Sequence, residues 1–304
     1  MAEASFYESR LAELCGSDSF RKDEKMSEHT TFRTGGPADY YVIPKDRETF
    51  IRLVQYLRQS EREFLILGRC SNVLVSDRGY RGTVIDTTSM NRVSMEGDEM
   101  WAEAGAMLGT VAGMAARASL SGLEFASGIP GTLGGAVFMN AGAYGGEMAQ
   151  IVTEVEVMDP SGQIISIYNK EMEFGYRTSI VQRMGFPVLS VRMKLEAGDP
   201  DEIQGKMREL AEKRKEKQPL DQPSAGSTFK RPEGYFAAKL ITDAGLSGMR
   251  VGGAVVSPRH NGFIVNDDNA SSADIMDLIG EVRERVKQRF GVELEPEVRL
   301  IGDF

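Results

Sequence analysis

The chain has 304 residues, 41% hydrophobic and 27% charged, with a formal net charge of −9 at pH 7. That length buries a good core and predicts two or three domains. The acidic balance argues against a general nucleic-acid or acidic-membrane surface, while leaving room for a local basic pocket for an anionic small molecule. Two cysteines, Cys15 and Cys70, and two histidines, His29 and His260, predict neither a disulfide framework nor a metal site.

In chain order, the start Met1-Ala-Glu-Ala-Ser-Phe-Tyr-Glu8 lacks a basic segment leading into an apolar one, so no signal peptide is expected. No apolar run approaches the roughly 18 residues of a membrane span, and the expected compartment is the cytoplasm. Residues 1–28 are polar and predict a short helix, and residues 30–37 a turn. A strand follows at 39–43, then a helix capped by Asp46 with Phe50, Leu53, Val54 and Leu57 on its apolar face. Strands are expected at 64–67, 73–75 and 83–86. The loop Gly68-Arg-Cys-Ser-Asn72 joins the first two. Gly68 turns the backbone without a Cβ, and Ser71 and Asn72 add short polar side chains. An ordinary turn and an anion-facing loop both fit it.

From residue 92 the texture becomes α+β. Paired strands are expected at 93–95 and 100–104, and a tightly packed helix within 105–118, where Gly109, Ala112, Gly113 and Ala116 recur. Residues 153–168 alternate on both sides of Asp159-Pro-Ser-Gly162 and predict a hairpin. Another strand covers 188–195. A helix over 201–217 buries Ile203, Met207 and Leu210, with acidic residues at its start and Lys213, Arg214, Lys215 and Lys217 at its end. Gln218-Pro-Leu-Asp-Gln-Pro223 reads as a boundary, and Lys217 is the basic residue nearest to it. Beyond it, strands are expected at 252–256 and 262–265. Ser271 or Ser272 caps a last helix whose stripe is Ile275, Met276, Ile279, Val282, Val286 and Phe290.

The densest signal is the run 128–146, Gly-Ile-Pro-Gly-Thr-Leu-Gly-Gly-Ala-Val-Phe-Met-Asn-Ala-Gly-Ala-Tyr-Gly-Gly, with seven glycines in nineteen residues. Each interior glycine costs a helix or strand roughly 0.5–1 kcal/mol relative to alanine, so neither is expected there. A tight structural turn explains the run, as does a ligand that needs bare backbone at close range, such as a diphosphate held by N–H groups. Neither a Rossmann Gly-x-Gly-x-x-Gly nor a P-loop is present. A dinucleotide held by two separate glycine loops, 68–72 and 128–135, remains compatible.

Seven motifs then occur in order: Thr30-x-x-Arg33-x-Gly35-Gly36, Gly68-x-x-Ser71-Asn72, Gly128-Ile-Pro-Gly-Thr-x-Gly-Gly135, Asn140-Ala-Gly-Ala-Tyr-Gly145, Tyr176-Arg177, Ala225-Gly-Ser-x-Phe-Lys230 and Leu294-Glu-Pro-Glu-Val298. Together they resemble the UDP-N-acetylenolpyruvoylglucosamine reductase (UDP-N-acetylmuramate dehydrogenase) family over about residues 20–302. The lack of a long insertion after Tyr176-Arg177 resembles its shorter subclass, which has no substrate-covering tyrosine loop. The resemblance implies an α+β fold: a two-domain FAD-binding module of the vanillyl-alcohol-oxidase-like type (1–88 and 89–218) and a C-terminal α+β substrate domain (219–304), with about 295–304 packing back on the first. It also implies non-covalent FAD, NADPH as co-substrate, and UDP-N-acetylglucosamine enolpyruvate as substrate in peptidoglycan precursor synthesis. No protein partner, nucleic acid or membrane insertion is implied.

Residue by residue, the resemblance assigns FAD contacts to Arg33, Gly68, Arg69, Cys70, Ser71, Asn72, Gly128, Ile129, Pro130, Gly131, Thr132, Gly134, Gly135, Asn140, Ala141 and Gly142. Tyr176, Lys217, Lys230 and His260 would bind substrate, with Arg231 able to share that role. Arg177, Ser227 and Glu297 would be catalytic. The chemistry asks for such a set. Hydride addition to the enolpyruvyl CH2 carbon drives charge onto the carboxylate, which a guanidinium meets with two parallel hydrogen bonds. A glutamate held neutral could stabilise the same charge, and a hydroxyl could protonate the adjacent carbon. Two other readings stay open. An FAD-dependent oxidase of a small alcohol or sugar would have a different substrate domain and often a histidine or cysteine for covalent flavin. A non-catalytic flavin or nucleotide-sugar binder would lack Arg177, Ser227 or Glu297.

Overall fold

Helices form where apolar residues recur at three and four, and caps fix where they start. The computed structural model describes residues 2–304. The Asp46 carboxylate accepts the Thr49 N–H at 2.8 Å, which satisfies a donor that no earlier turn can reach and lowers the Asp46 pKa. Helix Arg47–Gln59 follows and buries Phe50, Leu53, Val54 and Leu57 completely. Ser271 and Asp274 cap helix Ser272–Phe290 reciprocally, through N–H···O contacts of 3.0 and 2.9 Å. Ile275, Ile279, Val282 and Val286 are buried there as expected, and Leu278 joins them. Met276 is only partly buried, and Phe290 is exposed. Phe290 is the last helical residue before Gly291 turns left-handed at φ 68°.

The architecture is α+β, in two compact units. The first holds residues up to Lys22, Tyr40–Arg69 and Gly82–Lys213. A four-stranded sheet, of which residues 20–22, 40–42, 64–67 and 82–86 belong to this unit, runs in the order Phe20–Lys25, Pro37–Val42, Tyr80–Asp86, Phe64–Leu67, the last two parallel with Leu67 opposite Asp86. The other is five-stranded, in the order Ile164–Tyr168, Val152–Met158, Val188–Lys194, Glu99–Glu103, Val93–Glu96, with every pairing antiparallel. Its alternation turns Val155, Val157, Val191, Met193, Met100 and Ala102 inward. The hairpin expected at 153–168 is present, with Val155 opposite Ile167. Helix Leu108–Arg117 buries Leu108, Val111, Ala112 and Ala115 in the same core, and Ala116 is buried as well.

The second unit holds Asp23–Asp39, Cys70–Arg81 and Arg214–Phe304. Its three-stranded antiparallel sheet is Arg250–Val251, Ala254–Val256, Ile264–Asn266. Helices Ala237–Asp243 and Ser272–Phe290 share one core with it, joined by Phe32 and Leu74. The strand expected over 252–256 begins only at Ala254. Gly252, at φ 49°, and Gly253 make the turn before it. A Cβ at Gly252 would lie 2.6 Å from Asp274 Oδ2, and one at Gly253 2.6 Å from Ala270 N. Strand Arg299–Ile301 pairs in parallel with Val73–Val75. Among the described residues no helix is long and apolar enough to cross a membrane, and no cluster of three or more His, Cys, Asp or Glu could hold a metal.

Candidate active site

In the first unit the glycine run is a loop only as far as Thr132. Six of its residues, Leu133–Phe138, form a helix, contrary to the expectation that glycines would prevent one. Their cost is offset by close packing of backbone on backbone. Leu133 and Gly134 donate their N–H groups to Ala106 and Ala104 carbonyls, each at 2.8 Å. A Cβ at Gly134 would sit 2.9 Å from the Ala104 Cβ, and Leu108 N–H closes the loop on Gly131 O at 3.0 Å.

Gly68 meets this loop directly. A Cβ there would lie 2.9 Å from Thr132 Cγ2 and 3.0 Å from its Cβ, so the two glycine loops read separately from sequence touch through Gly68 and buried Thr132. Around that contact Gly128, Pro130, Gly135 and Arg69 are exposed, with Ile129, Gly131 and Gly134 half-buried. The exposed strip is poor in side chains and flanked by the Arg69 guanidinium. The N–H groups of Ile129, Gly131, Leu133 and Gly134 are already given to carbonyls. It is the close approach that bare backbone allows, with the nearby guanidinium, that suits a dinucleotide diphosphate such as that of FAD. Gly68→Ala is expected to displace the Thr132 loop and lower flavin retained per protein at least several-fold, read from visible absorbance. Adding Thr132→Ala should restore part of it, because it removes Oγ1 and Cγ2, the two nearest of the three clashing atoms, and leaves only the Thr132 Cβ position at 3.0 Å.

Downstream, the turn at 175–178 carries Tyr176 and Arg177, closed by hydrogen bonds between Gly175 and Thr178 at 3.1 and 3.3 Å. Three contacts tie the segment 175–179 to 138–142. Asn140 Nδ2 donates to Gly175 O at 3.1 Å, Arg177 Nη2 donates to Gly142 O at 3.2 Å, and Ser179 Oγ donates to Phe138 O at 2.8 Å. Asn140 is buried, and its Oδ1 also accepts the Ala149 N–H at 2.9 Å. Its side chain is thus committed to holding the arginine turn, a role that the sequence reading missed. Ala141 and Gly142 are half-buried on the same segment. The Arg177 guanidinium lies 5.2 Å from the centre of the exposed Tyr176 ring.

Ten non-glycine residues have positive φ among those described, and four are expected site residues: Arg33 (58°), Cys70 (52°), Asn140 (42°) and Arg177 (57°). Backbone in this region costs about 1–3 kcal/mol and persists where surroundings over-determine it, which is common at functional sites.

The second unit brings Ser227 and Glu297 onto paired segments. Lys230 N–H donates to Glu295 O and Glu297 N–H to Thr228 O, both at 2.8 Å, with Phe229 bridged to Pro296. Thr228 is fully buried. Its N–H donates to Gly262 O at 2.8 Å, and its Oγ1 accepts the Ile264 N–H at 3.0 Å. Ser227, one residue before it and following Gly226 at φ 77°, faces solvent. Asn72 fixes Glu297 from the other side: its Nδ2 donates to Glu297 O at 3.2 Å, and its own carbonyl accepts the Arg299 N–H at 3.1 Å. Ser71 is half-buried beside it, and Cys70 is buried with its carbonyl accepting the Thr31 N–H at 3.3 Å. Arg33 is exposed at the tip of the turn closed by its N–H to Thr30 O at 3.1 Å. Thr228 and Asn72 are the structural supports here. Thr228 carried no signal of its own beyond its place inside Ala-Gly-Ser-x-Phe-Lys.

The expected substrate-binding residues differ in electrostatics. Lys230 forms an ion pair with Glu295. His260 is half-buried, and burial pushes its pKa below the usual value, toward the neutral ring. The Gly262 N–H donates to its Nδ1 at 3.1 Å, which leaves the proton on Nε2. His260 therefore offers an N–H donor rather than a charge at neutral pH. Lys217 is exposed in the last turn of helix Pro200–Lys217. Arg231 stacks on Phe236, its guanidinium carbon 3.9 Å from the ring centre.

Comparisons with known proteins agree across the chain. Residues 218–301 match the family described as UDP-N-acetylenolpyruvoylglucosamine reductase, C-terminal domain, and residues 38–168 match an FAD binding domain. A UDP-N-acetylenolpyruvoylglucosamine reductase of Caldanaerobacter subterraneus subsp. tengcongensis is 50% identical over 294 residues, 97% of this chain and 97% of that protein. One of Clostridium tetani is 48% identical over 97% of this chain and 96% of its own length. The crystal structure of the corresponding enzyme from Thermus caldophilus aligns with a TM-score of 0.81 at 37% identity, covering 93% of this chain and all of that one.

Proposed function

Because the chain belongs to the UDP-N-acetylenolpyruvoylglucosamine reductase family, flavin-dependent oxidoreductases of peptidoglycan precursor synthesis, we propose that it reduces UDP-N-acetylglucosamine enolpyruvate to UDP-N-acetylmuramate with NADPH in the cytoplasm. The observation that carries this reading is the pairing of 228–230 with 295–297, which sets Ser227 and Glu297 on neighbouring segments. Functional segments 1–88, 89–218 and 219–304 are part of the proposal.

Bound FAD, reduced by NADPH, supplies the hydride that reaches the enolpyruvyl CH2 carbon. Arg33, the 68–72 loop and the 128–142 run hold it in this reading, chiefly by backbone. Arg177 takes the substrate carboxylate, and its planar fork suits the charge that grows there as the double bond is reduced. Glu297 stabilises the same developing enolate, as a donor when protonated. Ser227 passes its Oγ proton to the adjacent carbon, which forms the second new C–H bond and leaves an alkoxide that solvent reprotonates. Lys217, Lys230 and Arg231 attract the diphosphate, Lys230 by exchanging Glu295 for phosphate. His260 contributes its Nε2 proton, and Tyr176 the ring beside Arg177.

The test is a visible absorption spectrum of the purified protein, followed without oxygen through NADPH and then the enolpyruvyl substrate. Flavin bands should bleach with NADPH and return with substrate. Return only on admitting oxygen would move the reading to an oxidase. No flavin, even after incubation with FAD, would overturn the reading of both glycine loops.

A further inference from the structure

Lys230 is followed by Arg231-Pro-Glu-Gly-Tyr-Phe236, a segment built as a tight reversal. Tyr235 N–H donates to Pro232 O at 3.1 Å, and Gly234 takes φ 74°, which a side chain rarely adopts. Upstream, the Lys230 N–H is anchored on Glu295 O. Downstream, helix Ala237–Asp243 begins at once, burying Ala237, Leu240 and Ile241. Phe236, between turn and helix, is thus set in place from both sides while its ring stays 57% exposed.

The reversal folds that ring back onto Arg231. The guanidinium carbon lies 3.9 Å from the ring centre, and Nε donates to Tyr235 O at 3.3 Å. A face-on guanidinium at that range is a cation–π contact. Together with the Nε hydrogen bond to Tyr235 O, it restrains the orientation of the fork as well as its position. An exposed phenylalanine gains little from folding, since its ring remains largely in water. Its geometry accounts for its presence through Arg231.

We propose that Phe236 is a positioning residue that holds the Arg231 guanidinium flat, ready to receive the diphosphate of the nucleotide-sugar substrate. The inference rests on the function proposed above and adds to it how one binding group is pre-ordered. Pre-ordering lowers the entropy lost when the fork closes on phosphate, so its signature is substrate affinity rather than the chemical step.

Steady-state kinetics with the enolpyruvyl substrate test this through Phe236→Ala, Phe236→Leu, Phe236→Tyr, Arg231→Ala and the double variant Arg231→Ala/Phe236→Ala. Loss of the ring should raise KM on the order of three- to five-fold, the range of a surface cation–π contact, with kcat little changed. Phe236→Leu keeps apolar bulk without a π face and should behave as Ala. Phe236→Tyr should restore the wild-type KM. Removing the ring from a chain that already lacks the Arg231 guanidinium should change KM no further. A KM unmoved by Phe236→Ala, or raised by the same factor with and without Arg231, overturns the positioning role while wild-type turnover keeps the functional reading intact. A wild-type protein that does not turn over the enolpyruvyl substrate overturns the functional reading itself, and this inference with it.

Discussion

Replacing Ser227 by alanine is expected to slow reduction of the enolpyruvyl substrate by on the order of 10²–10⁴, the usual contribution of a positioned proton donor, while NADPH bleaches the flavin at the wild-type rate. The split follows from the chemistry: only the second half-reaction places a proton on carbon. The structure makes the test clean. Ser227 is exposed, and its neighbour Thr228 carries the local hydrogen bonds to 262, 264 and 297. Deleting the Ser227 hydroxyl therefore leaves the paired segments 228–230 and 295–297 intact. Anaerobic stopped-flow absorbance separates the two phases. Equal loss in both, or an undiminished second phase, would remove Ser227 from the proton-transfer role.

The elements were largely legible in the sequence because periodicity and caps are local. Asp46 and Ser271 start their helices, and the 153–168 alternation forms its hairpin, as their residue order predicts. What sequence could not reveal depends on partners far along the chain. Glycines at 134 and 135 lie in a helix because Ala104 and Ala106 accept its first N–H groups, and nothing in the run itself names those carbonyls. The strand expected at 252 starts at 254 because Asp274, on a helix beginning some twenty residues later, fills the space a side chain would need. At the candidate site the residue types and their order were readable. Their division of labour was not. Asn140 was expected as a ligand contact, and the sequence did not show that its amide also holds the turn of Arg177. Lys230 and His260 were expected to bind substrate, and the sequence could not show that Lys230 is ion-paired with Glu295 or that burial lowers the His260 pKa.

Arg177→Gly is expected to separate activity from stability. Arg177 sits at φ 57°, a conformation that costs a non-glycine residue about 1–2 kcal/mol and glycine almost nothing. Against that relief stand glycine's extra freedom in the unfolded chain, about 0.5–1 kcal/mol, and the lost bond from Nη2 to Gly142 O, about 0.5–1.5 kcal/mol. The lost contact with the Tyr176 ring adds to the cost, so the relief of the backbone offsets only part of it and urea unfolding should show a modest destabilisation. Its Gly175–Thr178 turn survives because Asn140 holds it through Gly175 O. Catalysis has no such compensation. Losing a fixed donor to a charge that grows in the transition state costs on the order of 10²–10³ in kcat. Arg177→Lys should recover little, since an ammonium is a point charge without the two parallel donors a carboxylate accepts. A variant that keeps its flavin and most of its stability but not its substrate turnover would identify Arg177 as the carboxylate's partner, held in strained backbone for that purpose. Activity lost only in proportion to flavin or folded protein would instead make it a structural residue of the turn.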